Sequence, residues 1–300
     1  MKMMSAPAKL ARMAYEVGVG ALTKPATKSI RDYGTLHLTL GRMGSLEARL
    51  AVTKKEIRRA QKLRYKVFFK EGGAIADARA TLTKRDICPF DRICDHLLVI
   101  DHDARDKLGR KRPKVVGTYR LLRQNIAEKY HGFYSAQEFD ISGLLKSHPN
   151  IQFLELGRSC VLKEYRSKRT IELLWRGIAT YLHHFKIGAM IGCASFEGTD
   201  PQKLALPLSF LHHHARSQGE WAASALPERF VSMNMMAKET IDLRRALDAL
   251  PTLIRGYLKV GAKIGSGAVV DHAFGTTDVL VIMPVDAIDA RYLEHFSPMQ

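Results

Sequence analysis

Residues 152–196 constrain the fold more than any other part of the chain, because an amphipathic helix there lies between two apolar stretches. QFLELGRSCV is predicted to be a strand. IELLWRGIATYLHHFKIG places Ile171, Leu174 and Ile178 on one stripe, and it is predicted to be a helix that ends at Gly188. AMIGCASF is predicted to be the next strand. A strand, a loop, a helix and a second strand in direct succession indicate a sheet with helices packed on it.

The other segments indicate one domain rather than several. LEARLAV alternates apolar and polar residues as a strand does, and the capping-box sequence TKKE, beginning at Thr53, predicts the start of a helix. HLLVI and VVGTYRLL predict a hairpin, and AVVDHAF and DVLVIMPV predict another near the C-terminus. We therefore expect residues 31–300 to form a single α/β (α+β) domain around a mixed, mostly antiparallel sheet flanked by helices. A helical insertion is expected around residues 200–255.

The chain is strongly basic. Its 47 Lys and Arg residues against 30 Asp and Glu residues give a formal net charge of +17, which favours an anionic partner. Nucleic acid, an anionic membrane surface and an acidic protein all satisfy that condition. Residues 1–30 form a basic leader that fits either an amphipathic helix on a membrane surface or a frayed tail. No apolar run approaches the roughly 20 residues that a membrane span needs.

The four cysteines, Cys88, Cys94, Cys160 and Cys193, are scattered along the chain. None forms a CxxC pair, and no set of Cys and His residues has zinc-finger spacing, so we expect no metal site. This pattern is typical of a reduced, cytosolic protein whose thiols lie in or near the core.

A cluster of basic residues lies between the predicted strand and the predicted helix: Arg166, Lys168 and Arg169, followed by Thr170. A helix N-terminus carries unpaired N–H groups and the positive end of the helix dipole. Cationic side chains added there predict an anion site. The alternative is a solvated basic turn with no ligand.

With that turn, the strand–loop–helix–strand unit resembles the GNAT acyltransferase superfamily, in which it holds the phosphate of a pantetheine arm. The usual acyl-coenzyme A loop reads Arg/Gln-x-x-Gly-x-Gly/Ala, whereas this chain has Arg166-Ser-Lys-Arg169-Thr-Ile171. Both glycines, which let backbone approach a pyrophosphate closely, are replaced. A carrier protein, with one phosphodiester and an acidic surface, suits three cationic side chains better than coenzyme A does.

A closer resemblance rests on the order of several polar residues. An Arg in the first helix, an acidic loop, an Arg on a strand and a Glu…Arg pair on a later strand resemble the acyl-homoserine-lactone synthases. In chain order these residues are Arg64, Asp86, Asp91, Asp95, Arg120, Glu155 and Arg158. The chain departs from those synthases at Ser159, where they carry Phe, and at Asp95, which has no clear counterpart in them.

Four motifs then resemble a sister family, the ornithine N-acyltransferases that make lyso-ornithine lipid from 3-hydroxyacyl-carrier protein. These motifs are CDHLLV, LELGRSCV, YRSKRTIELLWRGI and LIRGYLKVGAKIG, and the resemblance covers residues 46–296. It implies transfer of a 3-hydroxyacyl chain from phosphopantetheine on acyl carrier protein to the α-amine of L-ornithine, with no tightly bound cofactor. It also implies a cytoplasmic enzyme, peripheral on the inner face of an anionic membrane.

Two other functions compete with this one. A lactone synthase using S-adenosylmethionine is the enzymatic alternative, and LIRGYLKVGAKIG argues against it. A basic nucleic-acid-binding module is the non-enzymatic alternative. The sequence contains no helix-turn-helix, finger motif or aromatic RNA platform, so we expect no nucleic-acid partner.

An amide-forming transfer needs a base for the amine, because an α-ammonium is mostly protonated at pH 7. Glu155 is the first candidate, since burial in an apolar strand makes a carboxylate more basic. Asp91 is the second, with a loop-capping role as its alternative. For Glu155 the alternative is a buried structural pair with Arg158 or Arg120.

The remaining candidates bind substrates. Either Arg120 or Arg158 is expected to bind the carboxylate of ornithine through two parallel hydrogen bonds. The side-chain ammonium is expected to contact one residue of the acidic loop: Asp86, Asp91 or Asp95. Arg64 either orients that loop or touches the donor phosphate. Oxyanion stabilisation is expected in the segment from Cys160 to Leu162, where the Cys160 thiol is not expected to be a nucleophile. The expected donor-binding residues are Cys160, Leu162, Arg166, Lys168, Arg169 and Thr170.

Overall fold

The computed structural model describes residues 33–288, so the leader at residues 1–30 lies outside the described residues. A nine-stranded sheet dominates. Its strands are β1 (Thr39–Met43), β2 (Leu46–Leu50), β3 (Asp95–Asp101), β4 (Lys114–Arg123), β6 (Gln152–Val161), β7 (Ile187–Glu197), β9 (Lys263–Ile264), β10 (Val269–Asp271) and β11 (Thr276–Pro284). They lie in the order β1-β2-β3-β4-β6-β7-β11-β10, with β9 also paired to β11. A separate pair joins β5 (Phe139–Asp140) to β8 (Ser224–Ala225).

Eight α-helices lie among these strands within residues 33–288. They are α1 (Lys54–Tyr65), α2 (Ala78–Thr83), α3 (Gln124–Ala127), α4 (Ser142–Ser147), α5 (Lys168–His184), α6 (Ala205–His214), α7 (Leu243–Ala249) and α8 (Thr252–Lys259). A π-helical turn, Lys66–Glu71, extends α1. None of the described helices is both long enough and apolar enough to cross a bilayer.

The capping box predicted at Thr53 begins α1. The Thr53 side chain accepts from the Glu56 N–H, and the Glu56 carboxylate accepts from the Thr53 N–H, so both orphan donors are satisfied. The predicted hairpins are confirmed: β3 pairs with β4, and β10 with β11, both antiparallel. Residues 200–255 contain α6, β8, α7 and the start of α8, and their description as a helical insertion stays a prediction.

The end of α5 corrects one prediction. The helix ends at His184, and the left-handed residue that reverses the chain is Lys186, with φ of 51°. Gly188 already belongs to β7, where a Cβ would lie 2.8 Å from Cγ2 of Ile151. That glycine therefore serves close packing, and the prediction that it ends the helix is wrong.

The pair β6–β7 is the only parallel one between the strands described, and α5 is its crossover connection. Its ladder ends at Glu155 and Ile191, although both strands continue for several residues. Beyond this point β6 bulges: Arg120 faces Gly157, Thr118 faces Cys160, and Arg158 has a left-handed φ of 51°. A positive φ in a bulky residue is uncommon, and such strain concentrates at functional sites.

Candidate active site

Arg64, in the last turn of α1, is fully buried and holds the acidic loop. Its Nη1 and Nη2 atoms donate to Oδ1 and Oδ2 of Asp91 at 2.9 and 2.7 Å. Nη2 also donates to the carbonyl oxygen of Asp86 at 2.7 Å, and Nε lies 2.7 Å from Oδ2 of Asp86. Both Nη atoms are therefore hydrogen-bonded to protein groups, and Nε is ion-paired with Asp86 without a hydrogen bond. The geometry therefore favours orientation of the acidic loop over contact with a donor phosphate.

Asp91 lies in an environment that makes it a weak base. Its Oδ2 also accepts from Nε2 of Gln61 at 2.9 Å and from the N–H of Cys88 at 3.1 Å. Burial alone would raise the pKa of Asp91, but the charge and hydrogen bonds of Arg64 outweigh this and hold the pKa well below its usual range. Nη1 of Arg120 lies 3.7 Å from Oδ1 of Asp91, and its charge lowers the pKa of Asp91 further. Asp91 is thus poorly suited to take a proton from an amine.

Glu155 is buried at the end of the β6–β7 ladder and anchors the 3₁₀ turn Tyr134–Gln137. Its Oε2 accepts from the N–H of Tyr134 at 2.9 Å. Its Oε1 accepts from the N–H and from Oγ of Ser135, both at 2.6 Å. The burial expected from the sequence is confirmed, and the hydrogen bonds come from this turn instead of from the guanidinium of Arg120 or Arg158. Oγ of Ser135 gives the carboxylate a polar route towards neighbouring groups.

Arg120 and Arg158 lie on the ring of Tyr134, with their Cζ atoms 5.2 and 4.9 Å from its centroid. Arg158 also lies 4.6 Å from the centroid of Phe274, so it is sandwiched between two aromatic rings. Its Nε is 3.3 Å from Oδ2 of Asp86. The side chain of Arg158 is 14% exposed and that of Arg120 only 3%, so Arg158 is the better placed to meet a substrate carboxylate.

Asp95 does not contact the cluster formed by Arg64, Asp91 and Arg158. Its Oδ2 accepts from the hydroxyl of Tyr181 on α5 at 2.6 Å, and Nη2 of Arg123 lies 3.5 Å away. The next residue, His96, contacts the carbonyl oxygen of Asp91 instead. Successive residues of a strand point to opposite faces of the sheet, which explains the separation.

Three of the expected site residues follow the bulge in β6: Ser159, Cys160 and Leu162. Ser159 is hydrogen-bonded to the phenol of Tyr119. Burial raises the pKa of the Cys160 thiol to about 12, which fits the expectation that it is not a nucleophile. The N–H of Leu162 donates to the carbonyl oxygen of Val116 at 2.9 Å. That N–H is therefore occupied and is not available to an oxyanion.

All three cations of the basic turn are exposed, and Arg166 among them is paired with an acidic side chain. Arg166 donates from Nε to the carbonyl oxygen of Val161 at 3.0 Å and from Nη2 to Glu71 at 2.8 Å. Lys168 is exposed in the first turn of α5, and Arg169 is exposed beside the β1–β2 turn. Thr170 is fully buried, and its N–H donates to Oγ of the N-cap Ser167 at 3.4 Å, which indicates a structural role.

Sequence reasoning missed an acidic cluster, which we define as Glu138, Asp271 and Asp278. One carboxylate oxygen from each lies within 4.8 Å of the others, a donor set that suits a hard cation or an ammonium group. Sγ of Cys193 lies 3.4 Å from Oε2 of Glu138. A signal was available only for Asp278, an acidic residue inside the apolar strand DVLVIMPV.

An apolar cavity opens where the β6–β7 ladder ends. Its lining includes Leu156, Ile191, Gly192, Cys193, Tyr257 and Met283. A Cβ on Gly192 would lie 2.3 Å from the carbonyl oxygen of Leu156, so only glycine fits between these two strands. Cys193 contacts both this cavity and the acidic cluster, and the two therefore adjoin.

The fold and the family comparison define the class of protein. The family model described as an acetyltransferase (GNAT) domain matches residues 63–176. This range contains Arg64, the acidic loop, β3 to β6 and the first half of α5. The protein is thus an acyltransferase of the GNAT type, with the α+β sheet that the sequence predicted.

Curated relatives define the family more narrowly. The chain is 53% identical over 256 residues to the L-ornithine N(alpha)-acyltransferase of Agrobacterium fabrum, covering 85% of this chain and 86% of that protein. It is 52% identical over 257 residues to the protein of that name from Rhizobium meliloti, covering 86% of each. The Brucella abortus protein of the same name is 50% identical, covering 86% of this chain and 91% of its own length. The chain belongs to the L-ornithine N(alpha)-acyltransferase family.

Solved structures with similar folds include two synthases. The acyl-homoserine-lactone synthase LasI is 12% identical with a TM-score of 0.43, covering 85% of this chain and 98% of that one. FeeM, an N-acyl amino acid synthase from uncultured soil microbes, is 9% identical with a TM-score of 0.42, covering 80% of this chain and 91% of that one.

Proposed function

We propose that this protein transfers a 3-hydroxyacyl chain from acyl carrier protein to the α-amine of L-ornithine, giving lyso-ornithine lipid. The names of its relatives support ornithine as acceptor. The single observation that carries the proposal is the position of Arg158. Its guanidinium lies just beyond the end of the β6–β7 ladder, between the rings of Tyr134 and Phe274.

In this proposal Arg158 binds the α-carboxylate and thereby orients the α-amine towards the thioester at the gap between β6 and β7. Holding the two reactants together supplies much of the rate enhancement. Arg120 is more deeply buried and maintains the positive field around Arg158 and Tyr134. Arg64 acts indirectly, because it holds Asp86 in place and Asp86 contacts Arg158.

Glu155 is the proposed base, acting through Oγ of Ser135. One proton of the α-ammonium passes by this route to the carboxylate before the nitrogen attacks. The C–N bond then forms, the C–S bond breaks, and the second proton leaves with the pantetheine thiol. Asp91 is not given this role, because its ion pair with Arg64 makes it too weak a base.

The donor is proposed to approach at the N-terminus of α5. Lys168 and Arg169 are exposed there and would contact the phosphodiester of the prosthetic arm. Arg166 is already paired with Glu71, so it contributes less. The net charge of +17 favours an acidic carrier and an anionic membrane surface, and we propose peripheral attachment to the inner face of the cytoplasmic membrane.

Expression in a bacterial host that lacks ornithine lipids tests this function. Lipid extraction and mass spectrometry are expected to detect 3-hydroxyacyl-ornithine with the wild type and very little with Glu155→Gln. An acyl-homoserine lactone as the new product would reject the proposal. So would the absence of acylated ornithine from cells in which the folded protein accumulates.

A further inference from the structure

Asp278 carries a buried carboxylate oxygen that lacks a partner. The residue lies in β11 and is 7% exposed. Hydrogen bonding by the side chains of Ser195 and Thr276 lowers the pKa of the Asp278 carboxyl, but the Oδ1 atom itself has no hydrogen-bond partner among residues 33–288. A buried polar atom without a partner carries a desolvation penalty, and in a native structure it calls for an explanation such as a missing ligand.

The other members of the acidic cluster face the same space. Glu138 is 4% exposed, and Asp271 is half-buried with its Oδ1 fixed by the N–H groups of Ala273 and Phe274. Burial, together with repulsion from neighbouring carboxylates, raises the pKa of Glu138 and of Asp278. The one cation that contacts the cluster within the described chain is Arg229, 3.4 Å from Oε1 of Glu138.

The acidic cluster adjoins the proposed acceptor site on two sides. Cys193 joins it to the apolar cavity, since its Sγ lies 3.4 Å from Glu138. Phe274 joins it to Arg158, because the ring lies under the guanidinium while its N–H is bound by Asp271. The charge of Arg158 also acts directly on Asp278 and opposes the rise of its pKa. An amino acid held by its carboxylate at Arg158 therefore has a ring of carboxylates beside its side chain.

We propose that the acidic cluster binds the distal ammonium group of the acceptor and selects a diamino acid over an apolar amino acid of the same length. This inference rests on the proposed function and names its specificity site. An ammonium donates three hydrogen bonds, which suits three converging carboxylates, including the unpartnered Oδ1 of Asp278.

The acidic loop suits this role less well than the sequence indicated. The carboxylates of Asp86 and Asp91 already face buried guanidinium groups, and Asp95 meets Tyr181 on the α5 side. A divalent metal is the competing ligand for the acidic cluster. A monovalent ammonium requires less negative charge, and Arg229 already supplies one positive charge there.

The test compares L-ornithine with L-norvaline, which has the same carbon chain without the distal ammonium, as acceptors for the full-length protein. Charge-assisted hydrogen bonds of this kind contribute enough to change an equilibrium by about 10- to 100-fold. We expect Asp278→Asn and Glu138→Gln to lower the ornithine-to-norvaline ratio of kcat/KM by about that factor. The value for norvaline is expected to stay near that of the wild type, which also reports an intact fold.

Glu197→Gln is the matched control, because Glu197 is an exposed carboxylate on β7, the strand that carries Cys193. It is expected to leave the ratio unchanged. An unchanged ratio in both cluster variants would overturn the inference. Loss of activity with EDTA, restored by Mg²⁺ or Ca²⁺ in the wild type but not in Asp278→Asn, would also overturn it and assign the cluster to a metal.

Calorimetric titration separates this inference from the proposed function. The wild type is expected to bind ornithine about 10- to 100-fold more tightly than norvaline, and Asp278→Asn is expected to lose that preference. Equal binding of both by the wild type contradicts the inference. If ornithine is bound selectively but never acylated, the inference stands and the proposed function fails.

Discussion

The guanidinium of Arg64 meets the carboxylate of Asp91 through two parallel hydrogen bonds of 2.9 and 2.7 Å, with both side chains almost entirely buried. This pair joins α1 to the acidic loop, whose Asp86 contacts both Arg64 and Arg158. Removing one partner of a buried pair leaves an uncompensated charge, which is far more destabilising than the loss of a surface contact.

Arg64→Met is therefore expected to lower the free energy of unfolding by about 3–5 kcal/mol. Urea denaturation followed by circular dichroism measures the change. Arg58→Met, which replaces an exposed arginine of the same helix, is the control and is expected to change stability by at most about 0.5 kcal/mol. Equal effects of the two substitutions would show that the buried pair does not organise this region.

The acidic cluster predicts an unusual pH dependence. The pKa values of Glu138 and Asp278 are raised in the folded protein, chiefly by burial, with Asp271 repelling and Arg229 and Arg158 opposing the rise. The Cys193 thiol also faces Glu138. A carboxyl whose pKa is raised by folding stabilises the protein fully below its unfolded pKa, about 4, and this contribution is lost as pH rises through the folded pKa.

The double variant Glu138→Gln, Asp278→Asn has no carboxyl groups at these positions, so it does not lose this stability as pH rises. Its Tm is therefore expected to exceed that of the wild type by a larger margin at pH 8 than at pH 5, as measured by scanning calorimetry in the absence of ligand. A margin that is constant between these pH values would contradict the assignment of the raised pKa values to these two groups.

The basic turn predicts a preference for carrier-bound donors. Lys168→Glu with Arg169→Glu is expected to reduce kcat/KM for a loaded carrier protein by about tenfold or more, because two exposed cations become anions beside an acidic partner. A short thioester of pantetheine without phosphate is expected to lose little. Lys146→Glu, at an exposed position on α4, is the control. Similar losses with both donors would place the turn outside donor recognition.

Gly192 predicts a steric test of the cavity. Gly192→Ala would bring a Cβ within 2.3 Å of the Leu156 carbonyl oxygen, so β6 or β7 has to move at the point where the acyl group is proposed to lie. We expect the initial rate to fall by about 100-fold or more, since small displacements at a reacting centre reduce rates to this extent. Gly143→Ala, whose Cβ would meet nothing within 4 Å, is expected to retain activity. Full activity in Gly192→Ala would reject this location for the acyl group.

Local sequence predicted what short-range rules determine. The reciprocal bonds of Thr53 and Glu56 follow from a spacing of three residues. The burial of Glu155 likewise follows from its apolar neighbours on β6. In these cases one segment contains the whole pattern.

The acidic cluster could not be predicted in this way, because its members come from segments far apart in the chain. Glu138 follows a 3₁₀ turn, whereas Asp271 and Asp278 lie on the C-terminal hairpin. The pairing of β11 with β7 sets Asp278 opposite Ser195, two residues beyond Cys193, and the thiol of Cys193 lies beside Glu138. The separation of Asp95 from Asp91 was not predictable either. Asp95 begins β3 and contacts Tyr181 of α5, whereas Asp91 lies in the turn before that strand and contacts Arg64 of α1.

Mass spectrometry can identify the product that the purified protein makes from a 3-hydroxyacyl carrier protein and L-ornithine. N-acylated ornithine is expected from the wild type, and Arg158→Gln is expected to lose most of that product. A wild type that acylates no ornithine would show that the proposed function is wrong, and an Arg158→Gln variant that acylates it at the rate of the wild type would show that Arg158 does not bind the acceptor.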